Sequence, residues 1–259
     1  MKTLKPGTAL FTGPTGPVLR DAAGELFAVA LSDAALAGVR AALTRADAAP
    51  TPELGAFEHA GHVGTRASWP VGRRTVAVLA DHAIEAAEAL RRAGARPVVL
   101  RPDTALDAVL DLAPAAVLAW HDGPAPERWL ELDALADHGI GWQRVSREGR
   151  HVLLEPIGVT HRDVRARRLA AAGSGHRHLA AYWAGRDAVL GDEAPDAAEL
   201  LLVAALAVKD LARWATGATT ADTSLTPGAI PAHRRLRVVD LDSGAIADHP
   251  VLPVPDSAP

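Results

Sequence analysis

The chain has 259 residues, of which 49% are apolar and 22% charged, with a net charge of −4; this is enough to bury a core, and the slightly negative balance offers no basic field to draw in nucleic acid. It has no cysteine, which excludes disulfides, thiolate zinc sites, iron–sulfur clusters and cysteine nucleophiles. No run approaches the roughly 18 apolar residues that span a bilayer, and the opening MKTLKPGTAL lacks the long apolar segment of a signal peptide, so the expected location is the cytoplasm, with no membrane partner.

Taken in order, residues 4–31 read as short strands and turns. Gly13-Pro14 and Gly16-Pro17 are turn signals, and Asp21 to Gly24 is another; the expected strands are Thr8 to Thr12, Val18 to Asp21 and Leu26 to Leu31. Ser32-Asp33 caps a helix to about Arg45, with Leu36, Val39 and Leu43 on one face. Ala49-Pro50-Thr51-Pro52 breaks the chain, and Thr51 with Pro52 starts a helix carrying Leu54 and Phe57 that stops near Gly61. Strands followed by helices predict a winged-helix-like unit over residues 1–65, with a linker from Gly61 to Gly72.

Residues 73–259 read as α/β. An apolar β-branched run, Val76 to Leu79, precedes an alanine-rich helix from Ile84 to Ala93, with Glu85 and Glu88 early and Arg91 and Arg92 late, the order a helix dipole favours. Gly94 ends it, and Pro97 to Leu100 follows as a second strand, completing one βαβ unit of a parallel sheet. Where a nucleotide-binding protein carries G-x-G-x-x-G, this chain has Ala80-Asp81-His82-Ala83. Without glycine the backbone cannot approach a pyrophosphate closely, and Asp81 repels one, so the Rossmann-like scaffold reads as degenerate, with no cofactor. Beyond it come a helix from Thr104 to Leu112, a strand from Ala115 to Trp120 and a helix from Pro126 to His138 with Trp129, Leu132 and Leu135. A hairpin follows, Gly141 to Ser146 and His151 to Leu154, turning at Glu148-Gly149. Residues 162–184 form a basic helical region broken at Gly173-Ser174-Gly175. Ala194 to Thr216 is a helix apolar nearly all round, fit for deep burial or a subunit interface. Arg234 to Leu241 is a late strand, and the tail after His249 reads as an extended arm.

The order of parts resembles a known family. KPGTALFTGPTGPVL followed by ELFAVALSDAALAGVRAAL is similar to the hairpin, third strand and first helix of the RiPP recognition element, the peptide-reading domain of ribosomal peptide maturation. The remainder resembles the ThiF-like partner proteins of azoline-forming YcaO cyclodehydratases. Glu155-Pro-Ile-Gly-Val-Thr-His161-Arg-Asp-Val164-Arg-Ala-Arg-Arg168 matches the apolar strand and helix start of that family, and His249-Pro-Val-Leu-Pro-Val-Pro255 matches its closing segment. In this alignment His161 and Val164 stand where the family has zinc cysteines, and the final cysteine pair is missing, so no metal is expected. The resemblance implies an accessory, non-catalytic subunit whose partners are a precursor-peptide leader and a YcaO-type enzyme, the ThiF-like part being a scaffold for that enzyme or for a second copy of the chain in a homodimer.

Candidate sites follow from residues and resemblance together. An exposed edge accepts an extended peptide as an added strand. Leu26, Phe27, Val29 and Leu31 are the proposed docking strand, with Phe27, Val29 and Leu31 on one face and Leu54 and Phe57 as the helix wall; these residues read equally well as the core of a small domain. His59 with His62, and His176 with His178, have weak metal-ligand spacing and no third ligand nearby in sequence. The run Arg162, Arg165, Arg167, Arg168, and the group Arg234, Arg235, Arg237, read by default as solvated faces. Asp210, inside the long apolar helix, is expected on its outward side. No nucleophile–base pair stands out among the serines, including Ser224 and Ser257, and no catalytic residue is assigned. Two rival functions stay open: a divergent nucleotide-dependent ThiF-like enzyme, and a winged-helix regulator. Against the latter, Pro52 to Ala60 carries Glu53 and Glu58 and no Lys or Arg for phosphates.

Overall fold

The computed structural model describes residues 2–45, 47–49, 51–65, 68–185, 194–217 and 230–254, and its contacts divide the chain into two units that part between Ser68 and Trp69. Pro255 of the closing segment, the residues after it and Ser224 lie outside the described residues. The first unit runs β1 (Lys2–Leu4), β2 (Ala9–Gly13), β3 (Gly16–Arg20), β4 (Leu26–Ala28), α1 (Asp33–Thr44), α2 (Pro52–His59) and β5 (Val63–Thr65). Strands β2, β3 and β4 form an antiparallel sheet in that order, and β1 pairs antiparallel with β5. Gly16, at φ 126°, makes the tight turn between β2 and β3, a conformation closed to most side chains.

The helices start where the caps predict. The Ser32 hydroxyl accepts from the Ala35 N–H and the Thr51 hydroxyl from the Leu54 N–H, with Pro52 in the first turn of α2. Their inward faces meet the sheet in one apolar cluster of Leu19, Val39, Ala42, Leu54, Phe57 and Val63. Leu54 is only 2% exposed. Leu54→Ala is therefore expected to cost about 2–5 kcal/mol, seen as a lower denaturant midpoint for this unit.

Two expectations need correction here, and one strand was not expected. The third strand stops at Ala28 rather than Leu31, because the Leu31 N–H turns back onto the Val29 carbonyl at 3.0 Å, a three-residue turn that ends a strand. Lys2 to Leu4 forms a strand too short to show a period. The expected linker begins with β5, and Trp69 within it is buried, its indole N–H donating to the Arg73 carbonyl at 2.7 Å.

The second unit runs β6 (Thr75–Ala80), α3 (Ala83–Ala93), β7 (Arg96–Leu100), α4 (Leu106–Asp111), β8 (Ala116–His121), α5 (Trp129–Leu132), β9 (Gly141–Glu148), β10 (His151–Glu155), α6 (His161–Ala171), α7 (His176–Trp183), α8 (Ala197–Thr216), β11 (Arg235–Asp240) and β12 (Ile246–Pro250). Its seven-stranded sheet has the order β12-β11-β10-β9-β8-β6-β7. Strands β7, β6, β8 and β9 are parallel, and β9 through β12 antiparallel. Alternate side chains of β6 and β8 enter opposite layers. Val76, Val78, Leu118 and Trp120 face α3 and α8, whereas Ala77, Leu79, Val117 and Ala119 face α4, α5 and the turn after it. Burial on both faces explains why these strands read as continuous apolar runs. Gly94 closes α3 at φ 94°, the left-handed cap expected of it. Among the described residues, no helix is long and apolar enough to cross a membrane.

Elsewhere this unit departs from the sequence reading. The helix expected from Pro126 to His138 is a single α-helical turn, α5, running into a 3-10 helix from Asp133 to His138. The expected arm is a sheet strand: His249 and Pro250 lie in β12, and Val251 is buried, its N–H donating to the Arg234 carbonyl at 2.8 Å. Asp210 faces inward, not outward. It is 6% exposed and meets the guanidinium of Arg235 at 2.7 Å, with Arg237 at 3.5 Å. Those two arginines, 8% exposed each, are therefore not a solvated face; a buried carboxylate needs such partners.

Candidate functional site

The edge of β4 is the first site. Antiparallel pairing alternates which residues exchange hydrogen bonds with the neighbouring strand. The Val29 N–H donates to the Pro17 carbonyl and the Asp21 N–H to the Glu25 carbonyl, both at 2.9 Å, and Phe27 stands opposite Leu19. Odd-numbered residues thus bond to β3, and the N–H and C=O groups of Leu26 and Ala28 point to the open edge. Pairing also sets the faces: Phe27 shares a face with Leu19 and Leu10, toward the core, while Leu26 and Ala28 share the opposite one. Leu26 is 63% and Phe27 44% exposed. Of the other proposed docking residues, Val29 and Leu31 pack at the margin of the apolar cluster, and Leu54 and Phe57 lie within it. The structure thus brings Leu26 and Phe27 to an exposed edge and puts Leu54 and Phe57 in the core beneath.

The second site is the crevice at the carboxyl ends of β6 and β8, where open α/β sheets bind ligands because the strand order reverses there. Here it is lined by the chain's own carboxylates. Asp81, in the turn before α3, accepts from the Asp122 N–H at 2.9 Å and pairs with His121 Nδ1 at 2.8 Å. Asp122 contacts Arg147 and lies 3.5 Å from His82 Nε2, and the His82 ring sits 5.0 Å from that of Trp120. Glu85 adds a further negative charge in the first turn of α3. A phosphate entering here meets two carboxylates and finds the Asp122 N–H already taken.

Sequence reading missed the third feature, a buried ionic network joining β9, β10 and α6. Arg144, fully buried, places Nε 2.7 Å from the Glu155 carboxylate and donates to the carbonyls of Pro156 and Val159 at 2.7 and 2.6 Å. Glu155 also pairs with His161 Nδ1 at 2.9 Å. Burial alone pushes the Glu155 carboxyl up; His161 and then Arg144 outweigh it and hold the group below the usual carboxylate range. Asp133 accepts from the His161 and Arg162 N–H groups at 2.7 and 2.9 Å and from the Trp142 indole at 3.1 Å. A carboxylate is well placed there, since the first turn of a helix leaves N–H groups unpaired and carries positive dipole. The only sequence signal was a charged residue, Arg144, inside an otherwise strand-like run.

This network occupies the place where the resemblance puts zinc cysteines. His161 is engaged by Glu155, and Val164 lies in an apolar cluster with Leu153, Val159, Leu236 and Val251. Among the described residues no group of three or more His, Asp or Glu is placed to hold a metal ion. His59 ends α2 before the chain reverses at Gly61, and His176 begins α7, its Nδ1 2.8 Å from the Gly173 carbonyl. The basic run of α6 is partly solvated, with Arg162 and Arg167 exposed, and partly engaged. Arg168 forms a two-pronged pair with Glu148 at 2.8 and 2.6 Å, and Arg165 and Arg168 lie 4.9 and 5.0 Å from the Trp183 ring. Arg167 binds the carbonyls of Leu252 and Pro253.

No protein-family model and no curated protein matches the sequence. Solved structures match over nearly the whole chain. A heterocyclase in complex with substrate and cofactor superposes with a TM-score of 0.61 at 13% identity, over 98% of this chain and 38% of its own. A chain of the E. coli microcin synthetase McbBCD complex with pro-MccB17 bound gives 0.54 at 11% identity, over 99% and 98%. E. coli MccB gives 0.52 at 9%, over 98% and 95%. This chain therefore spans well under half the length of the heterocyclase it matches. At these identities the likeness is one of fold: a mixed α/β architecture shared with heterocyclase and microcin-synthetase components.

Proposed function

We propose that this chain is an accessory protein of ribosomal peptide maturation: it holds the leader of a precursor peptide as an added strand on β4 and presents the remainder to a separate YcaO-type enzyme. The observation that carries the reading is the open β4 edge. Leu26 and Phe27 stand exposed on opposite faces of a short strand, and main-chain pairing with side-chain contacts on both faces is how an extended peptide docks. Two supports stand beside it. The fold is shared with a microcin-synthetase chain from a complex that holds a precursor peptide. The crevice that would hold a nucleotide is lined by the carboxylates of Asp81 and Asp122, which disfavours a phosphate there and supports leaving the ATP chemistry to another subunit.

Fluorescently labelled leader peptides from short reading frames beside the gene are the test. One should bind saturably, and Phe27→Asp should weaken it by about tenfold or more, since a charge replaces an apolar contact at the rim. The same titration with Mg-ATP in a calorimeter should give no saturable heat. Clear ATP binding, lost on mutation of crevice residues, would favour the nucleotide-dependent enzyme instead.

A further inference from the structure

In the second unit, α6 and the face of β10, β11 and β12 line an open pocket of about 450 Å³, within the range of small-molecule sites. Leu153, Leu236, Val238 and Val251 make an apolar floor, and Arg167, His151 and His249 stand on the wall. The net charge on that wall is positive. Arg168 and Glu148, also lining it, neutralise each other through their two-pronged pair. Arg167 instead donates to two neutral carbonyls, those of Leu252 and Pro253 at 3.1 and 3.0 Å. Among the described residues no carboxylate pairs with Arg167 or with His249, and His151 Nε2 lies as far as 3.8 Å from Asp240. An apolar hollow with an uncompensated guanidinium at its wall is matched by a ligand with the opposite arrangement.

We infer that this pocket is a binding site for a small carboxylate with an apolar body. The apolar floor disfavours a sugar phosphate, whose hydroxyls would lose water without gaining partners. A single guanidinium with no carboxylate partner among the described residues suits a monoanion better than a doubly charged phosphate. Two sources share this chemistry: a free aliphatic acid, and the carboxyl terminus of a peptide that ends in apolar residues. The pocket belongs to the second unit and owes nothing to β4.

The test uses the full chain with isotope-labelled amides, titrated with octanoate and with N-acetyl-leucyl-leucine, each beside its neutral carboxamide. Binding should shift the amides of Ala171, Val238 and Val251, with each acid binding at least about tenfold more tightly than its amide. Arg167→Ala should weaken the acids by a similar factor. Ala171→Trp, which fills the mouth from an exposed helical position, should abolish the shifts; if that variant does not fold, Arg167→Ala carries the test alone. Preference for octanoate identifies a free acid, and preference for the dipeptide a peptide terminus. The inference is overturned if neither acid shifts these amides up to its solubility limit, if the amides bind as well as the acids, or if Arg167→Ala leaves affinity unchanged.

Discussion

Replacing Arg144 by methionine is expected to destabilise the second unit by about 3–5 kcal/mol. Arg144 and Glu155 are each 3% exposed or less and 2.7 Å apart. Methionine matches much of the arginine's length but leaves the Glu155 charge with His161 alone and the Pro156 and Val159 carbonyls without their donor. The cost is that of a stranded buried charge, not the net worth of the pair. Arg144→Met combined with Glu155→Gln should therefore recover part of the loss. Urea unfolding of the three proteins measures this; if the single and double variants lose equal amounts, the charge of Glu155 is not what is stranded.

The acid dependence follows with a definite sign. Glu155 has a folded-state affinity for protons below its ordinary value of 4.5, so the unfolded chain binds this proton more readily. The network's contribution is then complete above that value and is lost as pH falls through the lower, folded one. In Arg144→Met a lowering partner is gone while burial, the largest influence on the group, still pushes it up. Acid unfolding should accordingly begin at a higher pH in the variant. An unchanged acid midpoint would detach Glu155 from the stability of this unit.

What was legible in the sequence is what local pattern controls. Val76 to Leu79, Gly94 and Pro97 to Leu100 each announce their role within a few residues, and the βαβ unit formed from them as read. Ser32 and Thr51 mark their helices for the same reason. The helix expected at Pro126 failed instructively. Trp129, Leu132 and Leu135 are three apart, a spacing that fits three residues per turn as well as 3.6, and the 3-10 form leaves Asp133 serving the N-terminus of α6. The pairing of Asp210 with Arg235, and of Arg144 with Glu155, could not be read at all. Periodicity says which face of an element is apolar; it does not say which distant strand brings a partner for a charge on that face. The strand proposed for docking was half legible: the apolar run from Leu26 marked a strand, while the turn at Leu31 and the burial of Leu54 and Phe57 depend on tertiary packing.

Ala28→Pro should abolish leader binding while leaving the first unit folded. The N–H of Ala28 points away from β3, so no bond within the sheet is lost, and proline is tolerated on an edge strand when its missing N–H faces solvent. An added strand, by contrast, would lose the Ala28 donor, one of the two that face the short open edge, and meet the pyrrolidine ring. One lost hydrogen bond is worth about 0.5–1.5 kcal/mol, and the steric block raises the effect to well over about tenfold in affinity. Ala28→Val supplies the control, since it keeps the N–H and favours a strand; it should bind the leader as the wild type does. Fluorescence anisotropy reads the affinities and thermal unfolding checks the fold. A leader that binds Ala28→Pro with wild-type affinity does not dock on β4, whatever the effect of Phe27→Asp, because no peptide can add to that edge without using the Ala28 main chain.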